Sequence, residues 1–286
     1  MILLKSPQEI ERLQESADLV SEVMNRMLAM AAPGVPTIEL DWLAEKTIRE
    51  CGATPAFKGY RGFPYSVCVS INEQVVHGFP SKRMLKEGDV LSLDVGVKYR
   101  DYVGDCARTM VVGSVSLEAD LIIRRAYLAL REACRTAQIG KRVGDISHTV
   151  ESVGKRYGYG VVRDFVGHGV GRNMHEDPQI PNFGGAGTGP RLKAGLVIAI
   201  EPMFNLGTYE VEVLDDKWTI VTRDRSLSVH VEDMVAVLPE GPKVMTSAVG
   251  MILPAEEEGR VAVSACEGQS GWGMGSKDSV SAHGKK

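Results

Sequence analysis

Two parts of this chain repeat each other at a distance of 106 to 107 residues. The segment KEGDVLSLD (residues 86–94) is echoed by KAGLVIAIE (residues 193–201), and each copy ends in a carboxylate. Glycines recur at the same spacing: Gly34 with Gly140, and Gly52 with Gly158. The spacing is too long for a solenoid repeat. It predicts two equivalent halves, each of two helices and a hairpin, about a pseudo-twofold axis, with Glu201 as the counterpart of Asp94.

Helical periodicity predicts two helices in each half. Ser6 is the expected N-cap of the first helix, because Glu9 three residues later completes a capping box. Apolar residues then recur every three or four positions until Pro33 and Gly34 end the helix. The predicted helices cover residues 7–32, 37–50, 120–137 and 144 or 145 to 157.

Residues 91–110 predict a β-hairpin whose polar face holds two carboxylates. Apolar and polar residues alternate along its first strand. With a turn centred on Tyr99 and Arg100, Asp94 lies directly opposite Asp105, and their Cβ atoms are roughly 4.5–5.5 Å apart. Two like charges in that position are destabilising unless a cation lies between them. A solvated edge hairpin and a metal site are both compatible with this stretch, and a one-residue change of register would separate the two faces.

Composition and charge are typical of a soluble globular protein. With 286 residues, the chain can bury a sizeable core as one large domain or two small ones. A net charge of −4 gives no electrostatic reason to bind nucleic acid, and no apolar run approaches the roughly 18 residues of a membrane span. The amino terminus reaches charged residues too early for a signal peptide, and the five cysteines form no C-x-x-C pair. We therefore expect a cytoplasmic protein with reduced thiols.

The histidines are ambiguous when each is considered alone. His168 lies in FVGHGVGRNMHEDP (residues 165–178), where three glycines disfavour a helix and predict extended or irregular backbone. A glycine-flanked histidine is more often structural than a ligand, and the same alternative applies to His77 and His175. Two others are interpreted as structural or as neighbours of a site: His148 and His230.

Considered together, four carboxylates and one imidazole form a ligand set for hard or borderline divalent ions. The set is Asp94, Asp105, His168, Glu201 and Glu232, the last of these within a predicted final strand at residues 229–238. Such a set suits Mn, Fe, Co or Zn and lacks the thiolates of a structural zinc site. Four carboxylates also balance the charge of two divalent cations, as in two-metal hydrolytic sites.

Four motifs resemble the metal-binding motifs of the type I methionine aminopeptidases, in the order and spacing of that family. They are DVGVKYRDYVGD (94–105), VGHGVGRNMHEDP (166–178), IAIEPM (198–203) and VHVED (229–233). The likeness implies an α+β fold of the pita-bread (creatinase/aminopeptidase) type, with pseudo-twofold duplicated halves and a central antiparallel sheet that has helices on its outer face.

The resemblance extends from about residue 6 to residue 238. It implies a catalytic domain at residues 1–238, with pseudo-repeats at about 6–112 and 113–238. Residues 239–286 form a tail, and its Gly/Ser-rich end is expected to be disordered.

Carried over by position, the resemblance implies two divalent metal ions per chain, of Co, Mn, Fe or Zn. Asp94 is the implied chelating ligand of one metal. Asp105 and Glu232 are the implied bridging carboxylates. His168 and Glu201 are implied to complete the second metal's ligands, and Glu201 to take the proton from the nucleophilic water.

The same resemblance implies roles for histidines that are not ligands and for a methionine pocket. His77 and His175 correspond to the family's pair that donates hydrogen bonds to the scissile amide and to the leaving amine. The implied pocket residues are Tyr60, Phe63, Cys68, Met174 and Trp218, and Phe57 fits plain core packing equally well. An aromatic, soft-atom lining suits a thioether. Two positions depart from the family pattern, Met174 where an aromatic is common and Cys106 where a hydroxyl residue is common.

The expected activity is removal of the initiator methionine from new polypeptides with a small second residue, by a water that two metals activate. The alternatives are a proline-specific Xaa-Pro aminopeptidase with the same ligands and a non-catalytic relative that binds ribosomes or proteins. Proline-specific relatives usually have an additional N-terminal domain, and non-catalytic relatives typically lack some of the metal ligands. The expected partners are the N-termini of nascent chains, and transient association with the ribosome is compatible with that role. We expect no binding to membranes or to specific nucleic acids. We expect a monomer.

Overall fold

The computed structural model describes residues 1–246. Its four α-helices are α1 (Pro7–Met30), α2 (Thr37–Glu50), α3 (Leu117–Thr136) and α4 (Val143–Arg156). Ser6 caps α1 and forms the predicted capping box with Glu9. The third helix begins three residues earlier than predicted, because the Ser116 side chain accepts a hydrogen bond from the backbone N–H of Ala119 and caps it there.

Fifteen short strands complete the described chain, together with a 3₁₀ turn at Tyr60–Gly62. The strands are β1 (Thr54–Pro55), β2 (Val67–Ile71), β3 (Gln74–Val76), β4 (Val90–Tyr99), β5 (Tyr102–Val111), β6 (Gly160–Val161), β7 (Gly167–Gly169), β8 (Glu176–Ile180), β9 (Val197–Ile200), β10 (Met203–Asn205), β11 (Val211–Val213), β12 (Ile220–Thr222), β13 (Ser228–His230), β14 (Asp233–Leu238) and β15 (Gly241–Val244).

All the strand pairs are antiparallel, and they form two larger and two smaller sheets. One larger sheet belongs to the first half and has the order β1-β4-β2, with β5 also paired to β4; the other belongs to the second half and has the order β15-β14-β9-β7-β8. The three-stranded sheets are β13-β10-β6 and β11-β12-β3. The central sheet predicted from the motifs is therefore divided into several short sheets.

The predicted duplication is present in the backbone. Helices α2 and α4 are both 14 residues long and start 106 positions apart. The glycines that precede them, Gly34 and Gly140, have φ angles of 88° and 89°, a left-handed conformation that is costly for other residues. Strands β4 and β9 begin 107 positions apart. The two halves thus have a helix, the turn before it and a central strand at equivalent positions, 106 or 107 residues apart.

The apolar face of β4 forms the core of the first half. Its alternate residues pack with buried residues of α1 and α2, so the two helices cover that face of the sheet. Burying large aliphatic side chains in this way stabilises the fold by about 1.5–3 kcal/mol each. The residues of this face are Leu91, Leu93, Val95 and Val97. The opposite face of the strand, which includes Asp94, is not covered by these two helices.

The register of the hairpin differs from the prediction. Asp94 pairs with Ala107 and Asp105 pairs with Gly96, because the turn is centred on Arg100 and Asp101. These two residues have φ angles of 47° and 70°, as in the type I′ turns that match the strand twist. The pairing is displaced by two residues, which keeps both carboxylates on one face as diagonal neighbours, typically ~7–8 Å apart.

The predicted final strand at residues 229–238 is interrupted. Strand β13 pairs with β10, β14 pairs with β9, and the chain passes between the two sheets at Val231 and Glu232. Glu232 instead forms an isolated bridge with Ala107 of β5, whose carbonyl accepts its backbone N–H at 2.9 Å. This crossing brings Glu232 to the first half of the molecule.

The paired sheet continues beyond residue 238, since β15 forms a hairpin with β14. The predicted disorder of the Gly/Ser-rich end concerns residues outside those that the structure describes. Of the helices within residues 1–246, none has the length and apolar character needed to cross a bilayer.

Candidate active site

The five predicted metal ligands lie together, although they come from different strands. Asp94 and Asp105 lie on β4 and β5, His168 lies in β7, and Glu201 follows β9. Glu232 joins them through its bridge to β5. All five line one cavity of about 300 Å³.

Three of these side chains are close enough to share one ion. Ligand atoms of Asp105, His168 and Glu232 lie within 4.8 Å of one another. The Nε2 atom of His168 is 3.7 Å from Asp105 Oδ2 and also 3.7 Å from Glu201 Oε1. The imidazole therefore lies between carboxylates of the two halves.

The backbone around His168 fixes the orientation of its ring. Its Nδ1–H donates to the carbonyl of Gly169 at 3.0 Å, which leaves the Nε2 lone pair for the cavity. Gly169 is required there, because a Cβ at this position would lie 2.3 Å from the carbonyl oxygen of Asp177 on β8. The predicted extended, glycine-flanked backbone is confirmed, and its function is to place an imidazole against two carboxylates.

Burial raises the pKa values of all four carboxyl groups, and repulsion by neighbouring carboxylates adds to it for three of them. Burial raises the pKa of Asp94 to about 7. Burial and the charge of Asp94 raise the pKa of Glu201 to about 8. The pKa values of Asp105 and Glu232 are raised well above their usual range, first by burial and then by the other carboxylates. Keeping all four buried carboxyl groups ionised costs free energy unless cations neutralise their charge.

Unpartnered oxygen atoms show that the cluster fits metal ions. Asp94 Oδ1, Asp105 Oδ1 and Glu232 Oε1 are buried and have no hydrogen-bond partner among the described residues. Buried polar atoms normally find partners, so three orphan oxygens in one cavity require another explanation. The nearby Arg108 guanidinium does not supply it, because it binds the Asp233 carboxylate and the backbone carbonyls of Ala107 and Glu232. Oxygen donors with one imidazole suit divalent cations.

His77 and His175 lie at the same cavity, as predicted. His77 follows β3 with a φ of 58°, an uncommon conformation for a residue other than glycine. Burial and the charge of His175 lower its pKa to about 4. His175 remains exposed to solvent, its Nδ1 is 2.9 Å from the Tyr60 hydroxyl, and its ring stacks on Tyr60. Partial burial of the ring and the charge of Arg61 lower the pKa of His175.

One wall of the cavity is apolar and contains four of the five predicted pocket residues. Phe63 and Trp218 pack edge to face with ring centres 5.1 Å apart, and Met174 is buried in the same cluster. Asp216 accepts the backbone N–H of Trp218 and holds its loop. The fourth residue is Tyr60, and Phe57 also lines the cavity.

Cys68, the fifth predicted pocket residue, is placed differently. It is buried opposite Asp94 in the β2–β4 ladder, within the apolar cluster that also contains Phe63 and Met174. It is not one of the described residues that line the cavity. Burial and the neighbouring charges of Asp94 and Asp105 raise the pKa of its thiol well above the usual range, so it is not a thiolate.

His230 lies at the site, which agrees with one of the two interpretations that its sequence left open, a neighbour of the site rather than a purely structural residue. Its Nε2 atom is buried, lacks a hydrogen-bond partner among the described residues, and is 3.7 Å from Glu201 Oε2. The strand alternation could have found it, since His230 lies two positions before Glu232 and residues so spaced share a face in an extended chain. The cavity lining also includes Arg61, Asp164 and Phe165. His148, the other histidine interpreted as structural, is exposed on α4.

Comparison with known proteins identifies the class. The model of metallopeptidase family M24 matches residues 11–239, and the chain belongs to this family. A curated methionine aminopeptidase from Clostridium acetobutylicum is 48% identical over 247 residues, which cover 86% of this chain and 99% of that protein. Membership of a metallopeptidase family supports divalent metal ions at the carboxylate–imidazole cluster.

Solved structures agree with this assignment. A methionine aminopeptidase from Thermotoga maritima has a TM-score of 0.85 at 40% identity and covers 86% of this chain and 100% of that chain. A prolidase from Pyrococcus furiosus has a TM-score of 0.71 at 25% identity and covers 85% of this chain and 65% of that chain. The predicted pita-bread fold and the resemblance to methionine aminopeptidases are confirmed.

Proposed function

We propose that this chain hydrolyses the first peptide bond of polypeptides that begin with methionine and have a small second residue. The observation behind this proposal is a single cavity that has a buried carboxylate–imidazole cluster on one side and an apolar wall on the other. A substrate with its methionine side chain against Phe63, Met174 and Trp218 would have its first peptide bond near the cluster. Sulfur–aromatic contacts contribute about 0.3–1.5 kcal/mol each and favour a thioether there.

Five residues would hold two divalent ions, of Co, Mn, Fe or Zn: Asp94, Asp105, His168, Glu201 and Glu232. Their orphan oxygens and the free Nε2 of His168 support this assignment. When bound, such ions supply Lewis acidity, which lowers the pKa of a water molecule toward neutrality.

Glu201 is suited to accept the proton of the attacking water. Its carboxylate lines the cavity beside the other proposed ligands, and bound cations would keep it ionised and able to accept a proton. Glu201 also lies between two imidazoles, since its oxygens are 3.7 Å from His168 and from His230.

His77 and His175 are suited to stabilise developing charge on the substrate. Their lowered pKa values make both rings neutral at pH 7, so each ring has one N–H to donate. If the Tyr60 hydroxyl donates to Nδ1 of His175, the proton of that ring is on Nε2, which is then the donor toward the substrate. Donors placed where charge develops lower the barrier more than any others.

The cellular setting is proposed from the same activity. The substrates would be the N-termini of nascent chains, met by a monomeric enzyme in the cytoplasm, with transient contact to the ribosome. We assign catalysis to residues 1–238, whose sheet β15 extends, and no catalytic role to residues 239–286.

One peptide assay tests the proposal and its alternatives. We expect turnover of Met-Gly peptides with Mn, Co or Fe added, and none of Xaa-Pro peptides whose first residue is not methionine. Turnover of the Xaa-Pro peptides instead would identify a proline-specific aminopeptidase. Release from neither series would favour a non-catalytic binding protein.

A further inference from the structure

A buried ion pair joins the amino-terminal segment to the strand that follows His175. Lys5 Nζ is 2.7 Å from Glu176 Oε2, and both side chains are only 5% exposed. Charged groups are rarely buried to this degree, and such a pair is retained only where its geometry satisfies both partners. Lys5 Nζ also donates to the carbonyl of Leu3 at 2.9 Å.

The position of Lys5 is fixed by its backbone as well. Its N–H donates to the carbonyl of Gly195 at 2.7 Å. Gly195 lies in the turn before β9 with a φ of 87°, and a Cβ there would be 2.5 Å from the Lys5 carbonyl oxygen. The amino-terminal segment therefore packs directly on this turn, and this contact restricts the position of the Lys5 ammonium group.

Glu176 in turn organises the loop before it. Its Oε1 accepts the backbone N–H of Asn173 at 3.2 Å. The loop passes so close to this carboxylate that a Cβ on Gly171 would lie 2.4 Å from Oε1. Between Asn173 and Glu176 lie Met174, on the apolar wall, and His175, at the cavity that the carboxylate–imidazole cluster lines.

A second connection runs from α1 to the same loop. The Tyr102 hydroxyl donates to Glu9 Oε1 at 3.1 Å and accepts from Arg172 Nη2 at 3.0 Å. The Arg172 guanidinium also lies over the Tyr102 ring. The loop at residues 171–176 is thus bound to the amino-terminal part of the chain at both of its ends.

We infer that Lys5 and Glu176 are positioning residues for His175. Their ion pair fixes the loop that presents the His175 ring to Tyr60 and to the cavity, so an amino-terminal residue outside the cavity wall sets the geometry of a substrate donor. This inference rests on the proposed function, in which His175 acts on the scissile bond. It requires no change in the charge state of either residue.

The variant Lys5→Met/Glu176→Gln tests the inference without leaving a buried charge unpaired. The introduced amide keeps an acceptor for the Asn173 N–H, so the loop retains one of its two contacts. In the metal-loaded full chain we expect kcat on a Met-Gly peptide to fall about tenfold to hundredfold, because small misplacements cost this much. We expect KM to change less than about threefold, since a contact made only in the transition state is lost. Lys5→Arg, which keeps the charge, is expected to retain most of the activity.

Two comparisons separate positioning from a general structural effect. Arg26→Met removes an exposed ion pair with Glu22 within α1 and is the control, with no expected change in kcat. In a His175→Ala background, the Lys5→Met/Glu176→Gln change should have no further effect, because the group it positions is gone. An equal fall in kcat in both backgrounds would overturn the inference.

A readout independent of catalysis completes the test. The ring ¹⁵N signals of His175 are expected to shift in Lys5→Met/Glu176→Gln and not in Arg26→Met, because only the former changes the contact with Tyr60. Unchanged His175 signals would refute the positioning role. If the wild-type chain turned over no methionine peptide, the proposed function would fail while this measurement would still decide the inference.

Discussion

Burial determines the protonation state of the histidines in the cavity. Burial is the first cause that lowers the pKa of His77 to about 4 and the pKa values of His168 and His230 to about 3. At pH 7 these rings are neutral, so each has one N–H and one lone pair. His168 donates its N–H to the Gly169 carbonyl, which leaves its Nε2 lone pair toward the cavity, as its proposed ligand role requires. The His77 ring packs against the rings of Phe165 and Trp218, and this packing agrees with its proposed role as a donor to the substrate.

Replacing His77 separates its role from that of a ligand. We expect His77→Ala to lower kcat by about 10²–10³-fold, the usual cost of one donor to a developing oxyanion. Metal content, measured by elemental analysis of protein purified anaerobically, should equal that of the wild type. Loss of bound metal in His77→Ala would mean that His77 is a ligand and that its assignment here is wrong. His168→Ala, which should lose metal, is the matched comparison.

Side-chain chemistry made the proposed ligands easier to find in the sequence than the residues around them. Carboxylates that end repeated strands and a histidine among glycines are unusual enough to be noticed, and all five proposed ligands lie at one cavity. His230 gave a weaker signal, its two-residue spacing from Glu232, because one histidine in an apolar strand is common. Its relation to Glu201 depends on a chain crossing at Val231 and Glu232 that no local pattern specifies.

At the scale of elements, helices were predicted well and strand pairing less well. Capping and glycine stops are local signals: Ser6 caps α1 as predicted, and α2 ends at Glu50, shortly before Gly52. The hairpin register depends on which two residues adopt left-handed φ angles, and Arg100 with Asp101 is not a favoured pair for this. Alternation still placed both carboxylates on one face, since a displacement of two residues preserves the side.

The packing of α1 on β5 yields a prediction at this scale. Gly104 lets the helix approach so closely that a Cβ there would lie 2.2 Å from the Ser16 carbonyl oxygen. Because the obstacle is backbone, Gly104→Ala should force the helix outward and lower the free energy of unfolding by about 1–3 kcal/mol, measured by urea denaturation. Gly185→Ala is the control, since its Cβ would make only an ordinary 3.5 Å contact with the Thr188 methyl group. Equal stability of the two variants would contradict this account of the packing.

At the scale of the molecule, the site forms where the two halves meet. Asp94 and Asp105 come from the first half, and the other three proposed ligands come from the second. The Thr109 hydroxyl of β5 donates to the His230 carbonyl at 2.6 Å and accepts the His230 N–H at 3.1 Å, beside the bridge between Ala107 and Glu232. Bringing the two halves together therefore also brings the four carboxyl groups together, and their repulsion opposes folding.

This coupling gives the metal-free protein a definite pH dependence. In the folded state the pKa values of Asp94 and Glu201 are about 7 and about 8, whereas unfolded carboxyl groups titrate near about 4. Between these limits the folded protein binds more protons than the unfolded chain, so stability falls as the pH rises. The contribution is complete below about pH 4 and is lost as the pH passes through the folded pKa values. Bound cations hold the carboxylates ionised and remove this loss.

Chelation should therefore lower the melting temperature more at pH 7.5 than at pH 5.5, as measured by calorimetry with and without a chelator. Competition between protons and metal at the lower pH acts in the same direction. The variant Asp94→Asn provides the control, because it removes one of the repelling charges. Its metal-free form should lose less stability between pH 5.5 and pH 7.5 than the metal-free wild type. An equal effect of chelation at both pH values would show that the carboxylates are not forced together at the junction, and the assignment of this cluster as the metal centre would then lose its electrostatic basis.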